Sequence, residues 1–452
     1  MLSAIFRENR KTLVLAAPMI AGQVGQMLMA WADSLMVGRV SVAALAACAF
    51  GNMLLATAIV FGFGVMTSVT VRASQAFGAN GDTDSVFRAS LLLGGALGVI
   101  LCILEIAVIP ILPMLGQPPE VNHTVVPYLV LVSISIVPLM LFTATKNFSE
   151  ALSRPWLPFW IVLGGVLLNV ALNFPLIFGM WGLPALGLTG AGLATLVARI
   201  VDFVVLLALV GGAGRRRPRG ITPFSPSSLL RNLRHLLRVG APAGGQHLAE
   251  ISSVAISTVM MGWLGMDALA AHQIALTCAT TTLMVPLGIG MAVTVRVGQA
   301  LGAGELDRVR PVVFGGLSMA VAAMSCFGVC FVVFARPLAA LFVTDPNVLA
   351  VAVSLLGVAA LFQIVDGLQV VAINALRGLG DVRVPLLLVI GSFWVVALPS
   401  SYALAFHTAL QATGIWVGLA LGLLTAGIAL TSRFLWKSSP LRLTTAYRAP
   451  HA

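Results

Sequence analysis

The sequence predicts an all-α, polytopic membrane protein: twelve transmembrane helices in two pseudo-symmetric six-helix bundles. Three observations carry this. The 452 residues are 59% hydrophobic and 9% charged, with a mean hydropathy of +1.03, where a soluble chain carries about 25% charged residues. The apolar residues gather into runs long enough to cross a bilayer, which takes about 20 residues at 1.5 Å rise. The second half also repeats the first at a shift of 224 positions, the distance from Pro18 to Pro242.

In chain order, helices are expected at 13–37, 44–70, 89–114, 126–146, 157–178 and 188–211. A second set follows at 239–262, 269–294, 312–334, 349–375, 385–406 and 413–433. Turn chemistry marks the breaks, as in Gly78-Ala79-Asn80-Gly81-Asp82, Gln117-Pro118-Pro119 and Gly302-Ala303-Gly304. On the repeat shift, VTVRASQAFGA (69–79) falls on VTVRVGQALGA (293–303), and Ala44-Leu45-Ala46-Ala47 on Ala268-Leu269-Ala270-Ala271. No gap is needed between residues 18 and 80. The expected organisation is an N-terminal lobe (1–211), a basic cytoplasmic linker (212–238), a C-terminal lobe (239–434) and a cytoplasmic tail (435–452). Six helices per half is an even number, so both halves enter from the same side. Their axis then runs along the membrane normal, as in parallel-repeat transporters.

Net charge is +11. Nearly all Arg and Lys fall in loops of one side, in the linker (Arg215, Arg216, Arg217 and Arg219 among them) and in the tails. The opposite loops hold only Arg39 and Arg336. That bias predicts both ends in the cytoplasm. It assigns the positive charge to topology and anionic lipid rather than to nucleic acid. The five cysteines (Cys48, Cys102, Cys278, Cys326 and Cys330) lie in apolar runs and read as small core residues. MLSAIFRENRKT shows no small-residue cleavage site, so the first apolar run is expected to stay as a helix.

Polar residues inside apolar runs are where chemistry is expected. A carboxylate at mid-membrane costs roughly 2.5–3.5 kcal/mol on insertion scales, so each is a functional candidate. Glu250 sits within VGAPAGGQHLAEISSVAISTVMM, and Asp366 within LFQIVDGLQVVAINAL. Two lone acids in one half predict a shared cation or proton site, with Gln246, His247 and Gln273 as possible neighbours. His247 reads as a proton carrier or a packing residue, and His272 as a cap or interface residue. In the first half stands Asp33, which falls on Ser257. Asn169 and Asn173 are one turn apart on the fifth helix, and Thr195 lies on the sixth. A carboxylate, two amide oxygens and a hydroxyl suit a hard cation such as Na+. The bland reading of the two Asn is helix–helix hydrogen bonding. Arg199 and Asp202 are expected to pair, being three apart on a helix. Asp381 and Arg383 are expected to shape a cytoplasmic turn. Met27, Met29, Met36, Met53 and Met66 read as packing or as an adaptable pocket lining. Glu105 has no assigned role. No GxxxxGK[ST] run occurs, so no nucleotide-driven pump is read within this chain, and no nucleophile–base constellation argues for an enzyme.

The stretches LAAPMIAGQ, ADSLMVGR, GAPAGGQHLAE, LAAHQIAL, GIGMAVTVRVGQALGAG, FQIVDGLQVVAINALRG and GLTGAGLAT span nearly the whole chain. Taken together in their order along the chain, with GLTGAGLAT closing the first half, they resemble the multidrug and toxic compound extrusion (MATE) family, most of all its NorM-type bacterial branch. The resemblance implies two lobes around a cavity open to one side at a time. It also implies export of cationic, amphipathic compounds in exchange for Na+ or H+, from the bacterial inner membrane, without a further cofactor. Asp33 matches the family's first-helix acid, Asn169 and Asn173 its fifth-helix polar pair, and Thr195 its sixth-helix hydroxyl. Glu250 and Asp366 match the second-lobe acids. Some members carry Asp where Asn173 stands, which leaves open which lobe couples the ion. The internal duplication makes a monomer sufficient. The competing reading, a lipid or lipid-linked oligosaccharide flippase of the same superfamily, calls for a more basic cavity. A structural or sensor protein would not need several mid-membrane acids.

Overall fold

The computed structural model describes residues 2–115, 119–180, 184–214 and 225–439, and among these no strand occurs. The first half contains α1 (Leu2–Gly38), α2 (Val42–Gly78), α3 (Thr83–Val108), α4 (Pro119–Ile134), α5 (Ile136–Ala151), α6 (Trp156–Phe178) and α7 (Leu188–Gly214). The second contains α8 (Pro226–Leu264), α9 (Met266–Gly302), α10 (Val309–Val333), the short α11 (Ala335–Ala340), α12 (Pro346–Gly378), α13 (Arg383–Ile390), α14 (Leu398–Phe406) and α15 (Gln411–Lys437). Eleven spans among the described residues are long and apolar enough to cross a membrane. The twelfth is α8, whose apolar run is diluted by Gln246, His247 and Glu250.

Three of the expected helices are built in pieces, each beside proline; the third span is α3 continued by a tighter 3-10 stretch, Ile109–Leu115, which holds Pro110 and Pro113. The fourth span is α4 and α5, broken at Ser135. Pro138 has no N–H to close a turn on Ile134, so the ladder cannot run through. The eleventh span passes from α13 through a π-helical stretch, Gly391–Ala397, into α14. Pro399 likewise has no N–H for the carbonyl of Val395, and the wider turn absorbs the gap. Several helices also outrun their apolar windows. Helical hydrogen bonding continues into polar residues until a turn stops it, as at Asn80 (φ 52°) and its repeat counterpart Gly304 (φ 75°). Asp82 then accepts from the N–H groups of Asp84 and Ser85 and starts α3. The Gln117-Pro118 break, residues 215–224 of the basic stretch and the tail from 440 lie outside the described residues. The remainder of that stretch, from Pro226, is already the first turns of α8.

Contacts divide the chain into two units. One comprises Met1–Ile20, Gly78–Asn80 and Gly245–Ala452, the other Ala21–Phe77 and Gly81–Gly244. α1 and α8 therefore change unit partway along, and the two change points coincide on the repeat shift. In the second-named unit the core joins α2, α3, α4 and α5 through Met66, Val69, Leu93, Val132 and Met140, with Leu236 of α8. In the other, Val293, Leu376 and Phe434 form one core cluster, and Leu355, Ile415 and Trp416 form another.

Each unit clamps its exchanged helix with the arginine of its VTVR stretch. Arg296 of α9 donates to the carboxylate of Glu8, to the Glu8 carbonyl at 2.8 Å and to Thr12 Oγ1 at 2.6 Å. Arg308 lies 3.6 Å from the same carboxylate. Arg72 of α2 donates through Nε to Asn232 Oδ1 at 3.1 Å, and Asn232 Nδ2 donates to Ser85 Oγ at 2.9 Å. Asn232 is the repeat counterpart of Glu8. Close approach elsewhere depends on glycine: a Cβ on Gly418 of α15 would lie 2.3 Å from the backbone nitrogen of Ser401 in α14.

The cysteines are less buried than expected. Cys48 is buried, Cys102, Cys278 and Cys330 are half-buried, and Cys326 is exposed. Surface apolar positions of a membrane protein face lipid, so an apolar run does not separate core from periphery. Of the methionines, Met66 is packed in a core and Met53 is exposed.

Glu8→Ala strands a buried guanidinium and is expected to cost about 3–5 kcal/mol. Asn232→Ala, which removes a partner that is not itself charged, is expected to cost about 1–3 kcal/mol. Thermal unfolding in detergent should therefore show Glu8→Ala as the less stable variant. Gly418→Val should lower the unfolding temperature through a clash with backbone that no rotamer relieves, a loss of about 1–3 kcal/mol.

Candidate functional site

The first candidate site joins α1, α6 and α7. Asn169 and Asn173 are one turn apart on α6 and fully buried. Asn173 Nδ2 donates to Asp33 Oδ1 at 2.7 Å and to Asn169 Oδ1 at 3.0 Å. Asn169 Nδ2 reaches Thr195 Oγ1 at 3.4 Å, and that hydroxyl donates to the Ala191 carbonyl at 3.0 Å. The four residues singled out in the sequence thus form one chain of hydrogen bonds from carboxylate to backbone. Asn173 Oδ1 is buried and has no hydrogen-bond partner. A buried acceptor left open beside a carboxylate is a place where a cation or a protonated species can bond.

Three further groups surround it that the sequence did not single out. Tyr128 of α4 donates its hydroxyl to Asn52 Oδ1 at 2.9 Å, and Cys48 Sγ lies 3.8 Å from that hydroxyl. The Asp33 charge acts on both Tyr128 and Cys48. Arg199 departs from expectation. Its Nη1 donates to Ser135 Oγ at 2.7 Å, at the break between α4 and α5. No ion pair within 4.0 Å joins it to Asp202 among the described residues, although Asp33 and Asp202 both lie within its electrostatic range. The Ser135 hydroxyl accepts from Arg199 while donating to the Val132 carbonyl at 2.6 Å.

The second candidate site joins α8 and α12. Gln369 Nε2 donates to Glu250 Oε1 at 3.0 Å. His247 Nδ1 stands 3.8 Å from Glu250 Oε2, beyond hydrogen-bond distance. Glu250 lies within electrostatic range of Asp366, so the two acids share one neighbourhood. Asp366 is half-buried and takes no hydrogen bond among the described residues. Gln246 serves elsewhere: its Oε1 accepts from Arg377 Nε at 3.3 Å and Nη2 at 2.9 Å, and its Nε2 donates to the Val382 carbonyl at 3.1 Å. The Arg377 charge acts on Glu250, while the charged group acting on Asp366 is Glu250. Gln273 is exposed on α9, and no hydrogen bond joins it to either acid. Trp394 Nε1 donates to the Ala249 carbonyl at 3.2 Å and braces α8 at this level.

His272 is a fixed structural residue. Trp416 Nε1 donates to its Nδ1 at 3.0 Å, which places the ring proton on Nε2, facing Thr258 Oγ1 at 3.0 Å. Asp381, expected to shape its turn, accepts from Arg433 Nε of α15 at 2.9 Å and so ties that turn to the last helix. Glu105 is half-buried on α3.

Each unit thus holds one carboxylate site, and among the described residues neither is locked by an arginine ion pair. The MatE family model matches residues 18–174 and 242–403, two stretches that begin one repeat shift apart. The chain is 35% identical over 447 residues to "Probable multidrug resistance protein NorM" of Pseudomonas syringae pv. tomato, covering 96% of each protein. It is 36% identical over 438 residues to the protein of that name from Bradyrhizobium diazoefficiens, covering 94% of this chain and 92% of that one. Its fold is similar to the Vibrio cholerae MATE transporter VcmN in the bent form, with a TM-score of 0.86, 21% identity and coverage of 98% and 100%. The chain therefore belongs to the MatE family, in its NorM-type branch.

Proposed function

We propose that this protein exports cationic, amphipathic compounds across the bacterial inner membrane in exchange for Na+ or H+, alternating between two conformations. The observation that carries the reading is the Glu250–Asp366 neighbourhood. Two acids on spanning helices lie within electrostatic range of each other, and Asp366 takes no hydrogen bond among the described residues. Like charges in a medium of low dielectric destabilise one another until a proton or cation joins them. Arg377 is hydrogen-bonded to Gln246 and acts on Glu250, so Asp366 is the group left open to a travelling positive species. The names of the relatives, multidrug resistance proteins, support drugs as the cargo.

In this scheme an ion arriving from outside occupies the acids and favours the conformation that releases drug outward. Drug bound from inside displaces the ion, because both carry the charge the acids lack. A ligand shifts such an equilibrium only by its difference in affinity for the two states. Coupling must therefore vanish when the acid that senses the ion is neutralised. Both chain ends lie in the cytoplasm, one chain suffices, and no enzymatic step is needed.

Proteoliposomes loaded with ethidium, given first an inward Na+ gradient and then a pH gradient alone, test the reading. The wild type should expel the dye under at least one gradient. Asp366→Asn should lower gradient-driven efflux about tenfold or more, the loss of a charge worth about 1.4 kcal/mol or more of coupling. Glu250→Gln and Asp33→Asn should each reduce it, and unchanged driven efflux in all three variants would sink the scheme. Asn173→Ala should weaken the Asp33 site by about 0.5–1.5 kcal/mol, seen as a raised half-saturating ion concentration with the protein folded.

A further inference from the structure

The two units solve one problem in two ways, and the second solution is incomplete. In the unit containing Arg296, the arginine and its neighbour Arg308 share the carboxylate of Glu8, which is buried. In the other unit the position of that carboxylate is taken by Asn232, an amide with no charge. Arg72 spends only its Nε on Asn232, and its two Nη groups have no partner among the described residues. Around it stand more cations. Arg231 acts on Arg72, and both Arg72 and Arg238 act on His235. His235 Nε2 is buried and has no hydrogen-bond partner. Among the described residues no carboxylate lies within 4.0 Å of Arg72, Arg231 or Arg238. The nearest acids along the chain, Asp82 and Asp84, open α3, and Asp82 accepts there from two backbone N–H groups.

Like charges gathered around open donors repel one another, and an anion among them relieves the repulsion. Guanidinium groups match the oxygens of a phosphate in planar, two-pronged hydrogen bonds. Ser85 Oγ and the His235 ring add neutral polar atoms at the same place. Arg231 and Arg238 are exposed, so the cluster is open at the membrane end to which the positive-inside bias assigns the cytoplasm. We propose that Arg72, Asn232, His235, Arg231 and Arg238, where α2 and α8 meet beside the start of α3, form a binding site for a phosphate-bearing anion. The anion supplies in this unit the negative charge that Glu8 supplies in the other. The site lies apart from both carboxylate sites and goes beyond the transport reading, so it stands or falls independently of it.

The test uses the full chain, purified and delipidated in a neutral maltoside detergent, with thermal unfolding as the readout. Short-chain phosphatidylglycerol, inorganic phosphate and short-chain phosphatidylcholine are titrated into the wild type, Asn232→Glu, Arg238→Gln and Arg154→Gln. Asn232→Glu builds the other unit's internal carboxylate into this one without removing the clamp. Arg154 is an exposed cation of the same unit outside the cluster. Phosphatidylglycerol should raise the unfolding temperature of the wild type saturably, and phosphatidylcholine should not. Asn232→Glu and Arg238→Gln should each weaken the apparent affinity about tenfold, the loss of one charge-assisted hydrogen bond, and Arg154→Gln should leave it unchanged. A matching response to inorganic phosphate assigns the site to the phosphate group itself, and a response to phosphatidylglycerol alone assigns it to a lipid headgroup. If Asn232→Glu fails to fold, Arg238→Gln carries the comparison. The absence of a saturable response overturns the proposal, as does an equal loss in Arg154→Gln, which would mean unspecific attraction to a basic surface.

Discussion

A charge removed from water must be paired, hydrogen-bonded or left to attract a partner, and this constraint organises the molecule. Taking an ion out of water costs several kcal/mol even after relaxation. The protein places charges on its spanning helices in each of these three ways. Glu8 and Arg296 are paired and buried. Asp33 and Glu250 are hydrogen-bonded by neutral amides, Asn173 and Gln369, which stabilise a negative charge without cancelling it. Asp366 has neither an ion pair nor a hydrogen bond among the described residues. The graded treatment separates charges that hold the fold from charges that remain available.

Gene-like duplication made these differences easy to see, because each position has a counterpart. Arg72 and Arg296 keep the same clamp on the exchanged helix, while Glu8 and Asn232 have diverged in charge. Asp33 faces Ser257 across the repeat, and Ser257 donates to the Ser253 carbonyl within its own helix. The clamping arginine is kept in both halves, while its partner and the acid at Asp33 are not.

Much of this was legible in the sequence. The spans followed from apolar runs, and the lone acids stood out because an acid in such a run has no local excuse. Asn169 and Asn173 shared a face because they are one turn apart. Other features left no trace. Gln369 and Arg377 reach Glu250 and Gln246 from a helix more than a hundred residues away, and no periodicity encodes that distance. Arg199 had a plausible partner on its own helix in Asp202, yet it turned to a hydroxyl at a break whose cause, Pro138, was visible but not weighed. Gln273 looked available and proved exposed. The exchange of α1 and α8 between units was hidden for another reason: a helix looks continuous in sequence whichever unit each part packs with.

The proposed function turns on one exchange, a positive cargo displacing a positive ion from carboxylates kept in an apolar setting. Its most direct test is ion release at equilibrium, with no gradient and no membrane. Tetraphenylphosphonium is titrated into detergent-solubilised protein in weakly buffered medium, and proton release and loss of pre-bound radioactive Na+ are followed together. Drug binding to the wild type should expel one of the two ions, and Asp366→Asn should bind drug without expelling either. Saturable drug binding to the wild type with no release of protons or Na+ would contradict that exchange.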